Sequence, residues 1–409
     1  MKKFVSAFLS FAMIFSLAAC GSGNSETTAA PTTTPAATTS ADTTAAEKDT
    51  TAAATTAAEA TTAATGDVDY SKLKIGFVHI SDPSDKGYTY NHDLGTQKMA
   101  KELGLDVNTQ IINKYNIPEG AECGTALREL VDAGCNIIFA TSFGFENYVL
   151  EVAKEYPDVQ FCHATGYQAA TSGLSNVHNY FGEIHQARYL SGIAAGLKTS
   201  TNKIGYVAAM ATPEVISGYD AFYLGAKSVN PDVTMEVMYT NSWNDPTKEA
   251  QVAKALIDDG CDVIGQHCDS TAAATTAEQN GVFHVGYNSD MRDAAPKASL
   301  TSAVWDWSIY LEYAVNCVAK GEAIDVDWSK GLKDGVCDIS PLNDSIIADG
   351  TKEAIDAARE KFLTSDWDVF TGPLKDNEGN EVVKEGETFK EPASAPSFNH
   401  ILEGITVKE

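Results

Sequence analysis

The side chains best suited to chemistry in this 409-residue chain are acids and histidines set beside short apolar runs. Asp85, Asp245, Asp269, Asp290 and Asp306, with His92, His163 and His267, could act as general acids or bases. The same groups serve equally well to fix a polar ligand by hydrogen bonds. The motifs that would make them catalytic do not occur: there is no nucleophile elbow, no metal motif and no phosphate loop. SDKGY (84–88) lacks both the glycines and the terminal Lys-Ser/Thr of such a loop. The residues therefore point to binding and not to an enzyme, with no metal and no cofactor.

Aromatic side chains accompany the acids. Trp243 stands in NSWNDP, among polar residues and just before Asp245 and Pro246, a setting ill suited to a core, so it is expected to touch ligand. Tyr88 and Tyr90 flank Thr89 in a glycine-containing loop, and one of the two is expected to face a cleft. Phe143, after Ser142, either packs or contacts ligand, and His163 is either a satisfied buried histidine or a ligand group. Trp305 and Trp307 read as opening a helix over residues 305–321. At i and i+2 they cannot share one helix face, which predicts one in the core and the other at the cleft.

The elements that must position these residues follow from the hydrophobic pattern. KIGFVHI (74–80) has the pattern of a buried strand. A helix follows near 90–103, a strand over 105–112, a helix over 121–133 and a strand in NIIFATS (136–142). Another helix covers 145–155, and VQFCHATG (159–166) is the next strand. Short strands alternating with helices mean βαβ units and a parallel sheet. The pattern then restarts: KIGYVAAM (203–210) echoes KIGFVHI, and ALIDDGCDVIGQHCDS (255–270) echoes ELVDAGCNIIFATSFG (129–144). Lys74 to Cys135 is 61 positions and Lys203 to Cys261 is 58. Two similar half-molecules make two lobes. Ligands of open parallel sheets bind beyond the carboxyl ends of the strands, so two facing lobes line one cleft. The strand-end segments include SDPSDKGYTY (81–90), TSFGF (141–145), HATGY (163–167), AMATPEV (209–215), QHCDS (266–270), YNSD (287–290) and VWDW (304–307). They are rich in aromatic and small polar residues and nearly free of Lys and Arg. Such a pocket stacks a flat ring and bonds its edge.

The N-terminus carries a separate message. Lys2 and Lys3 precede the apolar run Phe4 to Ala19, too short to span a bilayer as a helix, which reads as a signal peptide over 1–19. It ends in Leu17-Ala18-Ala19-Cys20-Gly21. A cysteine directly after small residues resembles a lipobox, in which the thiol is acylated. Residues 20–70 are mostly Thr, Ala and Ser and read as a flexible linker. The formal net charge of −27 argues against nucleic acid and against peripheral attachment to anionic lipid. The seven other cysteines show no CxxC pair and no metal-ligand spacing.

At these motifs the chain resembles the basic membrane protein family of solute-binding lipoproteins. KIGFVHISDPSDKGYTYNHDLG, LVDAGCNIIFATSFG, FCHATGY, RYLSGIAAG, NSWNDPTKEA, LIDDGCDVIGQHCDSTA and VGYNSDM occur in order over residues 73–340. The resemblance implies a type I periplasmic-binding-protein fold, α/β, with two doubly wound parallel-sheet lobes joined by a three-segment hinge. Lobe 1 is expected over 71–200 plus about 300–322, lobe 2 over 201–299 plus about 323–365, and a loop-like C-terminal extension over 366–409. It also implies capture of a small purine ligand for the permease and ATPase subunits of an ABC importer. The protein would be a monomer held at the extracytoplasmic membrane face by its lipid anchor alone.

Matched by motif, the family's stacking rings fall at Tyr88 and Trp243, with Tyr90 and Phe143 beside them. The sugar-side acid falls at Asn288 or Asp290, and the base-pairing acid is replaced by His163. The ribose lysine would fall at about Trp305 or Asp306, where no lysine stands. Ser142, His163, Gln266, Asp269 and Asp306 would read the ring edge, on turns containing Gly144 and Gly166. The missing lysine implies a nucleobase, adenine-like, ahead of a nucleoside. A ligand-sensing receptor subunit and a sugar binder of the same fold are the alternatives.

Overall fold

The expected apolar runs fold as short, buried strands. In this computed structural model, which describes residues 68–408, β1 (Ile75–Val78) and β3 (Ile137–Ala140) are buried throughout. With β2 (Ile111–Lys114), β4 (Gln160–Ala164) and β5 (Val177–Gly182) they form a sheet in the order 2-1-3-4-5. The second half repeats it. β6 (Lys203–Ala208), β7 (Thr234–Tyr239), β8 (Val263–Gln266), β9 (Phe283–Asn288) and β10 (Ser299–Trp305) lie in the order 7-6-8-9-10. All these pairings are parallel, as βαβ units require. The signal peptide, Cys20 and most of the linker lie outside the described residues. The folded part reaches back at least to Tyr70, whose hydroxyl donates to Asn316 at 2.5 Å.

The internal echo has a packing cause. A Cβ on Gly76 in β1 would lie 3.0–3.2 Å from Leu130, Cys135 and Ile138; one on Gly205 in β6 would lie 3.0–3.2 Å from Ile264, Leu256 and Cys261. Both halves press a helix leucine and the Gly-Cys cysteine against a bare strand position. All seven described cysteines are buried free thiols.

Three crossings join the lobes. The helix Ile184–Lys198 packs under the second sheet and on the helix Pro213–Val229, so the first crossing falls just after Gly182, not at residue 200. β10 belongs to the second sheet, while the following helix Ser308–Lys320 packs on the first-lobe helix Tyr88–Leu103. The second crossing is therefore at Asp306 and Trp307. β11 (Asp327–Lys330) then extends the first sheet beside β5, and β12 (Cys337–Ile339) pairs antiparallel with β10. Within the expected bounds, β10 lies in the second sheet instead of lobe 1 and β11 in the first sheet instead of lobe 2.

Three local expectations also change. The strand read at 105–112 is Ile111–Lys114, because Gly104 ends the preceding helix in a left-handed turn and Asp106 closes another turn onto Asn108 and Thr109. No helix starts at Trp305: the strand runs through it, and the helix begins at Ser308. The segment after residue 365 is no loose extension. It forms a small hairpin, β13 (Leu374–Lys375) with β14 (Glu381–Val383), and then β15 (Ile405–Lys408). β15 pairs parallel with β7 and becomes the seventh strand of the second sheet.

Candidate functional site

A cavity with about 350 Å³ of unfilled space, mouth included, lies where the carboxyl ends of the two sheets meet. Ile80 follows β1, and Ser142 and Phe143 follow β3, the two strands at which the first sheet reverses its order. Tyr88 opens the helix after β1, and Thr165 follows β4. The second lobe contributes Glu214, Trp243, His267, Asp269 and Tyr287. None of these wall residues is Lys or Arg.

Four aromatic rings stand on the wall, and a chain of rings behind it fixes one of them. Trp305 stacks on Trp307 at 4.4 Å and 23°, and Trp307 stacks on His92 at 4.4 Å and 19°. Tyr88 meets His92 edge-on at 4.5 Å. Burial holds His92 well below its ordinary pKa, so the ring is neutral and packs as an aromatic. Trp305 and Trp307 are both buried. Neither lines the cavity: the strand-to-helix turn lays one indole over the other instead of spacing them around a helix.

The polar centre is Asp269. Its carboxyl is buried, and burial followed by the charges of Asp85 and Glu249 holds its pKa well above the usual range. Asn288 Nδ2 donates to Asp269 Oδ1 at 2.8 Å, and Trp305 Nε1 donates to Asn288 Oδ1 at 3.2 Å. The protonated form that burial favours would offer an O–H donor beside a carbonyl acceptor. Glu214 is a second buried acid on the wall, its pKa pushed up to about 7 by burial. His267 Nε2 lies 3.4 Å from Glu214 Oε1, and burial holds His267 far below its ordinary pKa, so the imidazole enters this contact uncharged. Behind them the Arg188 guanidinium lies 3.5 Å over the Tyr287 ring and donates to the Gln266 carbonyl at 2.6 Å.

Local backbone is unusual at this site. Thr165 has φ 51° and Asn288 has φ 67°, left-handed values uncommon for any residue but glycine and rare for a β-branched one. Such conformations cost about 1–3 kcal/mol and persist where surrounding contacts enforce them. The two lobes also touch at the mouth. Ser289 Oγ donates to the Lys86 carbonyl, and Asn244 Nδ2 donates to Ser81 Oγ at 3.1 Å. A Cβ on Gly87 would lie 1.9 Å from the carbonyl oxygen of Asp269. Only glycine allows the lobes to close this far.

Of the residues expected at the site, Tyr88, Ser142, Phe143, Trp243 and Asp269 are on the wall. The others are not, for identifiable reasons. Tyr90 lies under the Lys86 ammonium at 4.2 Å, outside the cavity. Gly144 donates its N–H to Glu119 at 2.7 Å. His163 Nε2 donates to the Ser142 carbonyl at 2.7 Å, so His163 supports the wall instead of forming it. Gly166 leaves room for Asn179 and His163. The Gln266 amide donates to the carbonyls of Cys268 and Ser270, tying down the loop that carries Asp269. Asn288 and Trp305 stand one layer back. Asp290 is forked by Arg292, with Nη2 to Oδ2 at 2.6 Å. Asp306 pairs with Lys98 at 2.5 Å and accepts from Ser308 at the helix start. Ile80, Thr165, Glu214, His267 and Tyr287 complete the wall; the last four lie in strand-end segments, but no periodicity says which residue of a turn faces inward.

The family model of PnrA-like ABC transporter substrate-binding proteins matches residues 72–365, and the chain belongs to that family. It is 38% identical over 318 residues to a purine-binding protein of Brucella abortus, covering 77% of this chain and 88% of the relative. It is 34% identical over 329 residues to a putative ABC transporter glucose-binding protein of Haloferax volcanii, covering 78% and 82%. Among solved structures, an ABC transporter solute-binding protein of Aeropyrum pernix superposes with a TM-score of 0.61 at 17% identity, over 71% of this chain and 91% of that one. A transcriptional activator of the comK gene from Bacillus halodurans gives 0.61 at 22% identity, over 72% and 99%. These two likenesses establish the fold alone, an α/β architecture of parallel sheets as in periplasmic binding proteins.

Proposed function

We propose that this substrate-binding protein captures a purine nucleobase, adenine-like, between its lobes and delivers it to the permease and ATPase of an ABC importer, tethered through a lipid on Cys20. The observation that carries the reading is Asp269, a buried carboxyl set among aromatic rings on the cavity wall. In the protonated form that burial favours, its O–H donor and carbonyl acceptor complement an edge of adenine, where a ring nitrogen acceptor sits beside an N–H donor. Tyr88, Phe143, Trp243 and Tyr287 supply ring surface, and base–aromatic stacking is worth about 1–3 kcal/mol per base. A wall without Lys or Arg gives no cation to a ribose or a phosphate, which favours the base over the nucleoside.

The relative named as a putative glucose-binding protein supports a second reading, a sugar held on the same aromatic walls. Calorimetry with adenine, guanine, hypoxanthine, adenosine, inosine, glucose and pentoses separates the readings. Adenine is expected to bind most tightly. Binding of sugars alone ends the purine reading, and nucleosides binding far better than bases ends the argument from the missing cation. Mass spectrometry of whatever ligand co-purifies provides an independent check.

A further inference from the structure

Beside the ligand cavity lies a second hollow with about 1000 Å³ of unfilled space, open to solvent. Phe143, Thr165 and Glu214 line both, so the two are neighbours across these three residues. The far wall of the hollow is the loop over residues 392–399, with Pro392, Ala393, Ala395 and Pro396 on its surface. This loop lies beyond the residues matched by the family, 72–365. It is fixed to both lobes. Ser394 donates through N and Oγ to the Asp327 carboxylate of the first lobe at 2.9 and 2.5 Å. The Leu402 N–H donates to the buried Asp220 of the second lobe at 3.3 Å. Between these ties, Phe398 stacks on Phe370 at 4.1 Å and 12°.

The chemistry of the hollow differs from that of the first cavity. Proline rings, alanine methyls, Tyr167 and Pro213 give it mainly carbon walls, without Lys or Arg. Thr165, Thr212, Glu214, Ser397 and Asn399 add polar points to this surface, and a hydrocarbon group set against the proline and alanine carbons loses nothing by leaving water.

We propose that this hollow is a second subsite, which takes a hydrocarbon substituent carried by a purine whose ring fills the first cavity. The proposal rests on the purine reading and extends it to N-alkylated and N-arylated purines. The Pro/Ala-rich loop then sets how large a substituent the protein accepts.

The test is calorimetry on the purified protein with adenine, N6-benzyladenine and 9-benzyladenine. At least one benzyl derivative is expected to bind within threefold of adenine or more tightly. Ala395→Trp, which fills the hollow, should weaken that derivative tenfold or more and leave adenine within twofold; Ala393→Trp on the same wall serves if the first variant does not fold. The proposal is overturned if adenine binds while both derivatives bind more than tenfold less tightly. It is also overturned if the tryptophan variants weaken the derivative by less than threefold, or weaken adenine equally. If none of the three purines binds, the purine reading itself falls, and the subsite with it.

Discussion

The indole N–H of Trp305 donates to Asn288 Oδ1 at 3.2 Å, and that bond fixes which way the Asn288 amide faces. The amide nitrogen is thereby turned onto Asp269, a residue of the cavity wall. Trp305 → Phe should keep a ring on Trp307 while removing the donor and leaving a buried amide oxygen without a partner. A loss of about 1–2 kcal/mol in ligand binding, roughly five- to thirtyfold, is expected by calorimetry. Unchanged affinity would show that Asn288 needs no such support.

Closure depends on a position with no side chain. Gly87→Ala would push a methyl into the Asp269 carbonyl oxygen, 1.9 Å from the ideal Cβ, and backbone cannot yield there as a flexible side chain would. The variant should fold with a melting temperature within a few degrees of the parent and bind ligand about a hundredfold less tightly. Small-angle scattering with ligand should show a larger radius of gyration than the parent. Parental affinity would mean that closure is not required for binding.

Trp243 presents its ring to the cavity from a second-lobe loop, half-buried and tied in place by the Asp269 N–H donating to its carbonyl at 2.9 Å. Trp243→Ala should cost about tenfold or more in affinity, the worth of one stacked ring, with little loss of stability. Titration of the variant decides it, since equal binding removes Trp243 from the ligand contact.

Glu214 makes stability depend on pH. Its folded-state pKa, about 7, lies above its ordinary value of 4.5, because burial disfavours the charge. The folded chain therefore holds this proton more tightly than the unfolded chain. The contribution is fully present below pH 4.5 and is lost as pH rises to about 7, to an extent of about 3 kcal/mol at most. Asp220 and Asp269 slope the same way, so the difference between parent and Glu214→Gln isolates the effect. Denaturant melts between pH 4.5 and 7 should show a flatter profile for the variant. Identical slopes would mean that Glu214 does not titrate in this range.

Much of this was present in the linear chain. Strand–helix alternation, the repeated Gly-Cys before β3 and β8, and the rule that ligands sit beyond strand ends were enough to place the cleft. These are local signals, since burial on both faces writes an apolar run and helices write their own period. Trp243 was legible because an aromatic residue in a polar loop has few other uses, whereas the loop left Tyr88 and Tyr90 as alternatives and only the family motif chose Tyr88. Lobe membership was less so: β10 and the helix after it are consecutive but lie on opposite sides of a crossing, a choice made by pairing and packing.

The sequence by itself determined the fold class, the repeat, the family and the ring-rich, cation-poor character of the site. Only the tertiary structure decided which polar groups face the cavity and which hold others in place. His163, Gln266, Asn288 and Trp305 sit at strand ends as Asp269 does, yet each is spent on a hydrogen bond that orients a neighbour. Glu214 reaches the site through helix placement, and the loop over 392–399 reaches the neighbouring hollow through the docking of β15. The reason is physical. Inward orientation at a turn depends on left-handed backbone at Thr165 and Asn288, and on bonds between residues far apart in the chain, neither of which leaves a period in the sequence.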